Sequence, residues 1–287
     1  MLTHLLGTKG KRLRPALVFL IANLFDSETE KFIPLAAAVE LLHTATLVHD
    51  DMVDGADTRR GRPTLNVLVG SRAAVLAGDY LFARSAAFAA EAKNLRVMST
   101  FAEVLMDICD GELRQLYGNG LRLISRQEYY RRIEQKTAAL FRATTEMAAV
   151  LSGASEDDVQ ALKAYGYHLG IAFQVMDDIL DFVGGEHELG KPVGNDLRQG
   201  TVTLPVIRLA EMLPDEPAII RLRLGSADEA DLNAIIQTVQ SSGCVGQVRQ
   251  EAEAHVGRAI DELAGLPSVS ARQALEHLAG FSLSRTS

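Results

Sequence analysis

Residues Ile33 to Asp54 read I-P-L-A-A-A-V-E-L-L-H-T-A-T-L-V-H-D-D-M-V-D. Between Leu35 and Val48 only Glu40 and His43, apart from threonines, interrupt the apolar residues. A helix of that kind is apolar on more than one face and belongs inside a bundle. It closes on three aspartates, Asp50, Asp51 and Asp54, and the arrangement returns downstream. There, helical period over Glu156–Phe182 ends in Asp177, Asp178 and Asp181. Outward from these stretches, the same period covers Ser71–Lys93, Leu95–Leu116, Arg126–Leu151, Leu204–Leu213, Asp228–Ser241, Val245–Leu263 and Ser270–Ala279. Ser155 before Glu156, Asp157 and Asp158 is an N-cap followed by acids that the helix dipole favours. No alternating β-branched run is flanked by hairpin turns. No linker composition or fixed-period repeat divides the chain. The expectation is an all-α, single-domain helical bundle over residues 1–287.

Composition narrows the classes. The chain has 287 residues, 47% hydrophobic and 23% charged, which supplies a sizeable core and excludes wholesale disorder. A net charge of −8 argues against a general nucleic-acid binder. Cys109 and Cys244, the only cysteines, make neither a disulfide framework nor a zinc cluster. No apolar run approaches the ~18 residues of a membrane span, Pro15–Phe25 being the nearest. The first residues lack the features of a secretory signal. These features predict a cytoplasmic globular protein without a transmembrane segment.

The duplicated D-D-x-x-D carries the chemistry. On a helix the first and last aspartates of each set, four residues apart, stack on one face. Like charges so placed oppose each other and the dipole of a helix C-terminus. A divalent cation compensates, and clustered carboxylates are hard ligands suited to Mg²⁺, which shares its shell with water and substrate phosphates. One such cluster reads equally as a solvated helix end; two, each leading into a Gly- and cation-bearing loop (Gly55–Asn66 and Gly184–Gly200), do not. Lys11, Arg12 and Arg14 near the N-terminus, Arg59 and Arg60 after the first cluster, Lys136 beside Thr137, and Lys191 in the second loop supply cations. Singly each reads as a surface charge; patterned with the aspartates they describe a diphosphate pocket. His43 lies seven residues before Asp50 and so on its face, as a phosphate or substrate donor or as a core histidine. Gln174 is aligned with Asp181 by the same spacing, with Phe173 beside it as core or as an aromatic face for a cation.

The segments G-K-R-L-R-P, E-L-L-H-T-A-T-L-V-H-D-D-M-V-D, R-R-G-R-P-T, K-T, G-I-A-F-Q-V-M-D-D-I-L-D and G-K-P-V-G-N-D-L, in this order, resemble the trans-isoprenyl (polyprenyl) diphosphate synthases of the long-chain type. The resemblance implies an isoprenoid-synthase bundle with a central active-site cavity, homodimeric, joining isopentenyl diphosphate to an allylic prenyl diphosphate with Mg²⁺. It places two Mg²⁺ on Asp50 and Asp54 with Asp51 in support, and a third on Asp177 aided by Asp178 and Asp181. Arg59, Lys136, Thr137, Gln174 and Lys191 resemble the allylic-diphosphate contacts. Lys11, Arg14, His43 and Arg60 resemble the isopentenyl-diphosphate site. It also implies transient membrane contact for release of the product.

Chain length enters through Thr46 and Ala45, four and five residues before Asp50, roughly 6–7.5 Å down the helix. Aromatic residues there stop growth in short-chain members; neither residue here is bulky. The implied product is longer than farnesyl, in the heptaprenyl-to-octaprenyl range, with Tyr80, Phe82, Leu105 and Met106 as deeper stops or as core. A geranylgeranyl-type product is the shorter alternative. Two departures stand out: Thr201 occupies the place of a usual lysine, with Arg198 as its substitute, and about nine residues precede Gly10 where the family carries a further helix. A metal phosphohydrolase built on His49-Asp50 leaves the second cluster unexplained. A non-catalytic subunit of a heteromeric synthase generally loses cluster aspartates, and all six are present. A terpene cyclase needs no separate isopentenyl site.

Overall fold

The computed structural model describes residues 11–59, 61–117, 121–183 and 192–284. Helices dominate, as the sequence predicts, and they group into two compact units. The first comprises residues 1–104, 140–163 and 265–275; the second comprises 105–139, 164–264 and 276–287.

The first unit begins with α1 (Leu13–Leu24), which packs on α2 (Ile33–Val53). Pro15 lies in the first turn of α1 and Pro34 in that of α2, where a missing N–H costs nothing. After α2 come a hairpin of β1 (Thr58–Arg59) and β2 (Arg62–Pro63), a short α3 (Leu65–Val69) and α4 (Ser71–Ala90). Helices α2 and α4 pack closely because α4 presents small residues: Ala74, Ala77 and Gly78 are buried, and Ala74, Ala77 and Leu81 cluster with Ala45 and Val48 of α2. The unit also holds the first part of α5 (Leu95–Leu116), α7 (Ala139–Leu151) and the start of α8 (Glu156–Val183). The N-cap of α8 is formed, with the Asp158 N–H donating to Ser155 Oγ at 3.2 Å. Buried Glu146 of α7 is neutralised by Lys163 at 3.0 Å and Arg96 at 3.5 Å, the pairing that a buried charge requires.

The 25 residues Thr29–Val53 are long and apolar enough to cross a membrane by length and composition, so the stretch that comes nearest to a membrane span is this one rather than Pro15–Phe25. Their buried positions, Leu35, Ala38, Val39, Leu42 and Ala45, follow the pattern of a core helix.

The second unit contains the rest of α5, α6 (Arg126–Ile133), a π-helical turn at Glu134–Ala138, most of α8, α9 (Asn195–Arg198), α10 (Leu204–Met212), α11 (Pro217–Leu224), α12 (Glu229–Ser241) and α13 (Cys244–Glu262). The last helix, α14 (Val269–Leu283), starts in the first unit and ends in the second. The core of the second unit runs through Tyr129, Ile133, Ile171, Val175, Ile179, Phe182 and Leu204. Arg126 ties α6 to Glu211 of α10 at 2.7 Å and to Glu251 of α13 at 2.5 Å.

Candidate active site

The first acidic cluster caps α2. Asp51 is buried, and its Oδ1 accepts from Arg59 Nε at 2.7 Å, so the charge that burial would otherwise penalise is paired. The hairpin sets this contact. The Ala56 N–H returns to the Asp51 carbonyl at 2.9 Å, and Thr64 donates its N–H to Asp57 O at 3.0 Å and its hydroxyl to Ala56 O at 2.7 Å. Gly55, at φ 60°, supplies the left-handed turn out of the helix. Asp50 is half-buried and Asp54 exposed, one turn apart on one face. Arg59, expected from the resemblance to face the allylic diphosphate, has its Nε engaged by Asp51.

The second cluster is held from within the second unit. Asp178 is 2% exposed, and both its oxygens are occupied: Tyr129 Oη donates to Oδ2 at 2.6 Å and Gln174 Nε2 to Oδ1 at 2.9 Å. Thr137 Oγ1 donates in turn to Gln174 Oε1 at 2.7 Å. Burial pushes the Asp178 carboxyl up to about 7, against the pull of those two donors. The Tyr129 phenol is driven well above its usual value, first by burial and then by the Asp178 charge, and it stays a donor. Asp181 binds the returning chain: its carbonyl accepts from the Gly194 N–H at 2.8 Å and its Oδ2 from the Asp196 N–H at 3.2 Å. Asp177 is half-buried.

Lys136 and Thr137 sit on the π-helical turn, a distortion frequent at functional sites. Gly111 of α5 makes room for it, since a Cβ there would stand 3.0 Å from Gln135 Cβ. Lys136 Nζ pairs with Glu112 of α5 at 2.8 Å.

Among the remaining candidates, Lys11 is exposed, Arg12 pairs with Glu40 at 3.7 Å, and the Arg14 guanidinium lies 4.3 Å from the Phe141 ring centroid. His43 is half-buried on α2 and its carbonyl accepts from Thr46 Oγ1 at 2.8 Å. Ala45 is fully buried in the α2–α4 core and Thr46 half-buried. Tyr80 and Met106 are exposed, so neither is core packing here, and Phe82 packs against His49. Arg198 donates to Asn233 Oδ1 at 2.6 Å. Arg60 and Lys191 lie outside the described residues.

Sequence reasoning missed Tyr129 and Glu112, and it read His49 only as half of a His49-Asp50 phosphohydrolase pair. Tyr129 and His49 each stand beside, or a whole number of turns from, a residue it did name, but their partners are far away in the chain.

Oxygen donors fit a hard divalent cation. Among the described residues no three carboxylate, imidazole or thiol groups converge to hold a metal. Mg²⁺ is commonly bound by one or two carboxylates and completed by water and substrate oxygens.

The sequence matches the Polyprenyl synthetase family over residues 1–240. It is 40% identical to heptaprenyl diphosphate synthase component 2 of Geobacillus stearothermophilus over 278 residues, 96% of this chain and 86% of the relative. Its structure resembles a decaprenyl diphosphate synthase from Rhodobacter capsulatus, with TM-score 0.89, 40% identity and coverage of 99% of this chain and 89% of that one. It also resembles a polyprenyl synthase from Caulobacter crescentus complexed with calcium and isoprenyl diphosphate, with TM-score 0.91, 37% identity and coverage of 99% and 88%. The family uses divalent metal. With two intact D-D-x-x-D clusters in a mostly helical chain, the protein belongs to the polyprenyl synthetase family and is one of its prenyltransferases.

Proposed function

We propose that this chain joins isopentenyl diphosphate head-to-tail to an allylic prenyl diphosphate, releasing diphosphate and giving a product longer than farnesyl, in the heptaprenyl-to-octaprenyl range. The observation that carries it is the retention of all six cluster carboxylates, with Asp50 and Asp54 at the accessible end of α2. For product length, the support is the small size of Ala45 and Thr46.

In this reading residues 1–287 work as one polyprenyl-synthase domain. Asp50 and Asp54 hold two Mg²⁺ and Asp177 a third, aided by Asp181, and the bound metal supplies charge stabilisation for the leaving diphosphate. Lys136, Arg59, Thr137 and Gln174, with Lys191, orient the allylic diphosphate; Lys11, Arg14 and His43, with Arg60, hold isopentenyl diphosphate. The allylic C–O bond breaks, its electron pair leaving with diphosphate. The double bond of isopentenyl diphosphate then attacks the allylic cation, and a proton passes to the released diphosphate. Cationic side chains placed for the leaving group need no reorganisation as charge develops there.

The protein acts as a cytoplasmic homodimer with transient membrane contact at product release. Exposed Leu76 and Tyr80, one turn apart on α4, support self-association, as do Met106 and Leu113, two turns apart on α5. A second reading, catalytic subunit of a two-component enzyme, draws on the Geobacillus relative being called component 2.

The test is the purified chain alone with Mg²⁺, radiolabelled isopentenyl diphosphate and geranyl, farnesyl or geranylgeranyl diphosphate, with chromatography of the dephosphorylated products. Long polyprenols confirm the reading. No elongation without an added partner supports the two-component alternative. Asp50→Ala and Asp177→Ala abolish turnover and leave the thermal unfolding midpoint near that of the parent; near-normal rates refute the metal roles.

A further inference from the structure

We propose that Tyr129 is a positioning residue for the second acidic cluster, acting through Asp178, whose carboxylate anchors α8 and is not itself a metal ligand. The inference rests on the metal roles given above to Asp177 and Asp181.

The geometry separates the three aspartates. Successive residues of a helix are about 100° apart around its axis, whereas residues four apart return to within about 40°. Asp177 and Asp181 therefore share one face, and Asp178 points well away from their mean direction. Asp178 is 2% exposed and Tyr129 fully buried, whereas Asp177 and Asp181 are half-buried. Both Asp178 oxygens are used inside the protein, one by the Tyr129 hydroxyl at 2.6 Å and one by the Gln174 amide at 2.9 Å.

The anchor spans three elements. Tyr129 belongs to α6, Gln174 and Asp178 to α8, and Thr137, which donates to Gln174 at 2.7 Å, to the π-helical turn after α6. The chain Tyr129–Asp178–Gln174–Thr137 thus fixes the rotation of α8 relative to the segment that carries Lys136. Arg132 holds the other side of Tyr129: its guanidinium carbon lies 5.7 Å from the ring centroid and its Nη2 donates to Val202 O at 2.5 Å. The first cluster follows the same plan within its own unit, where the middle aspartate, Asp51, is buried and tied to Arg59. Losing the Tyr129 hydroxyl strands one oxygen of a buried carboxylate, and α8 turns or shifts to satisfy it.

The test uses the full-length chain saturated with inorganic diphosphate, into which Mg²⁺ is titrated calorimetrically, beside thermal unfolding and steady-state kinetics. Asp177→Asn lowers Mg²⁺ affinity more than tenfold. Asp178→Asn, which keeps the size of the side chain and an acceptor for Tyr129, stays within threefold of the parent. Tyr129→Phe weakens Mg²⁺ five- to tenfold and lowers kcat, with the KM for isopentenyl diphosphate within twofold. Tyr130→Phe, which deletes a neighbouring hydroxyl bonded to Glu251 at 2.8 Å, leaves the Mg²⁺ affinity unchanged.

Equal losses in Tyr129→Phe and Tyr130→Phe, or no loss in Tyr129→Phe, overturn the proposal. If Tyr129→Phe fails to fold, Asp178→Asn decides: a loss as large as that of Asp177→Asn makes Asp178 a ligand and overturns it. Unchanged Mg²⁺ affinity in Asp177→Asn overturns the metal assignment itself, and the proposal with it.

Discussion

His49 occupies the space that a side chain on Gly78 would take: a Cβ there would lie 2.3 Å from His49 Nε2. The ring nitrogen stands 3.4 Å from both Asp79 Oδ1 and Val75 O, and the ring packs on Phe82 at a centroid distance of 5.0 Å. The residue immediately before Asp50 is thereby keyed into α4, which fixes where the first cluster leaves the core.

Gly78→Ala therefore forces this ring out. Overpacking of this kind costs about 1–3 kcal/mol. The expected result is a lower thermal unfolding midpoint and reduced turnover, with the stability loss partly reversed by adding His49→Ala. A Gly78→Ala protein as stable as the parent shows that the two helices separate freely and that the key is unimportant.

Lys136 pairs with Glu112 at 2.8 Å. Glu112→Gln removes the counter-charge while keeping the shape, leaving more of the Lys136 charge for an anion. Half-buried pairs of this kind contribute on the order of 1 kcal/mol, so inorganic diphosphate binds about three- to tenfold more tightly. Calorimetric titration without metal reads this directly. Equal or weaker binding indicates that Lys136 does not reach diphosphate.

Much of this architecture was legible from periodicity, and the failures have physical causes. Helix α5 has the expected bounds Leu95–Leu116, and α2 ends within one residue of expectation, because both carry long uninterrupted patterns. Helix α1 shows no clear period in the sequence because Leu13–Leu24 is apolar without a distinct polar face and carries Pro15 at its third position, which the first turn tolerates. The helical pattern of Arg126–Leu151 runs unbroken in the sequence, yet the structure inserts a π turn at Glu134–Ala138, where the segment meets Gly111. Only tertiary packing dictates such a break. The aspartates announce themselves, whereas the 49-residue separation of Tyr129 and Asp178 leaves no local trace of their bond.

The second unit also holds a histidine pair, with His168 Nδ1 and His255 Nδ1 3.0 Å apart, so one ring donates and the other accepts. Burial is the main cause that lowers both imidazoles, His255 to about 4, with the His168 and Arg258 charges adding to it and Glu251 opposing. Tyr130 stacks on His255 and donates to Glu251. A base with a depressed folded pKa binds fewer protons folded than unfolded, so its stabilisation is complete above about 6.5 and declines as pH falls towards about 4. The unfolding midpoint should fall across that window, and His255→Phe, which keeps a ring against Tyr130, should flatten the dependence. Parallel pH curves for the two proteins refute the assignment.

Product length is best probed at Thr46 rather than at Ala45. Ala45 has no exposed surface and packs with Ala74, Ala77 and Leu81, so a phenylalanine there strains the α2–α4 core and confuses misfolding with altered specificity. Thr46 is half-buried, and its hydroxyl is spent on the carbonyl of His43 within the same helix, a bond whose loss is tolerable. Thr46→Phe places an aromatic ring one turn before Asp50 without entering that core. The products of elongation from farnesyl diphosphate should shorten by several isoprene units, while the unfolding midpoint stays within a few degrees of the parent. An unchanged product distribution from a folded Thr46→Phe protein means that the growing chain does not pass this face of α2.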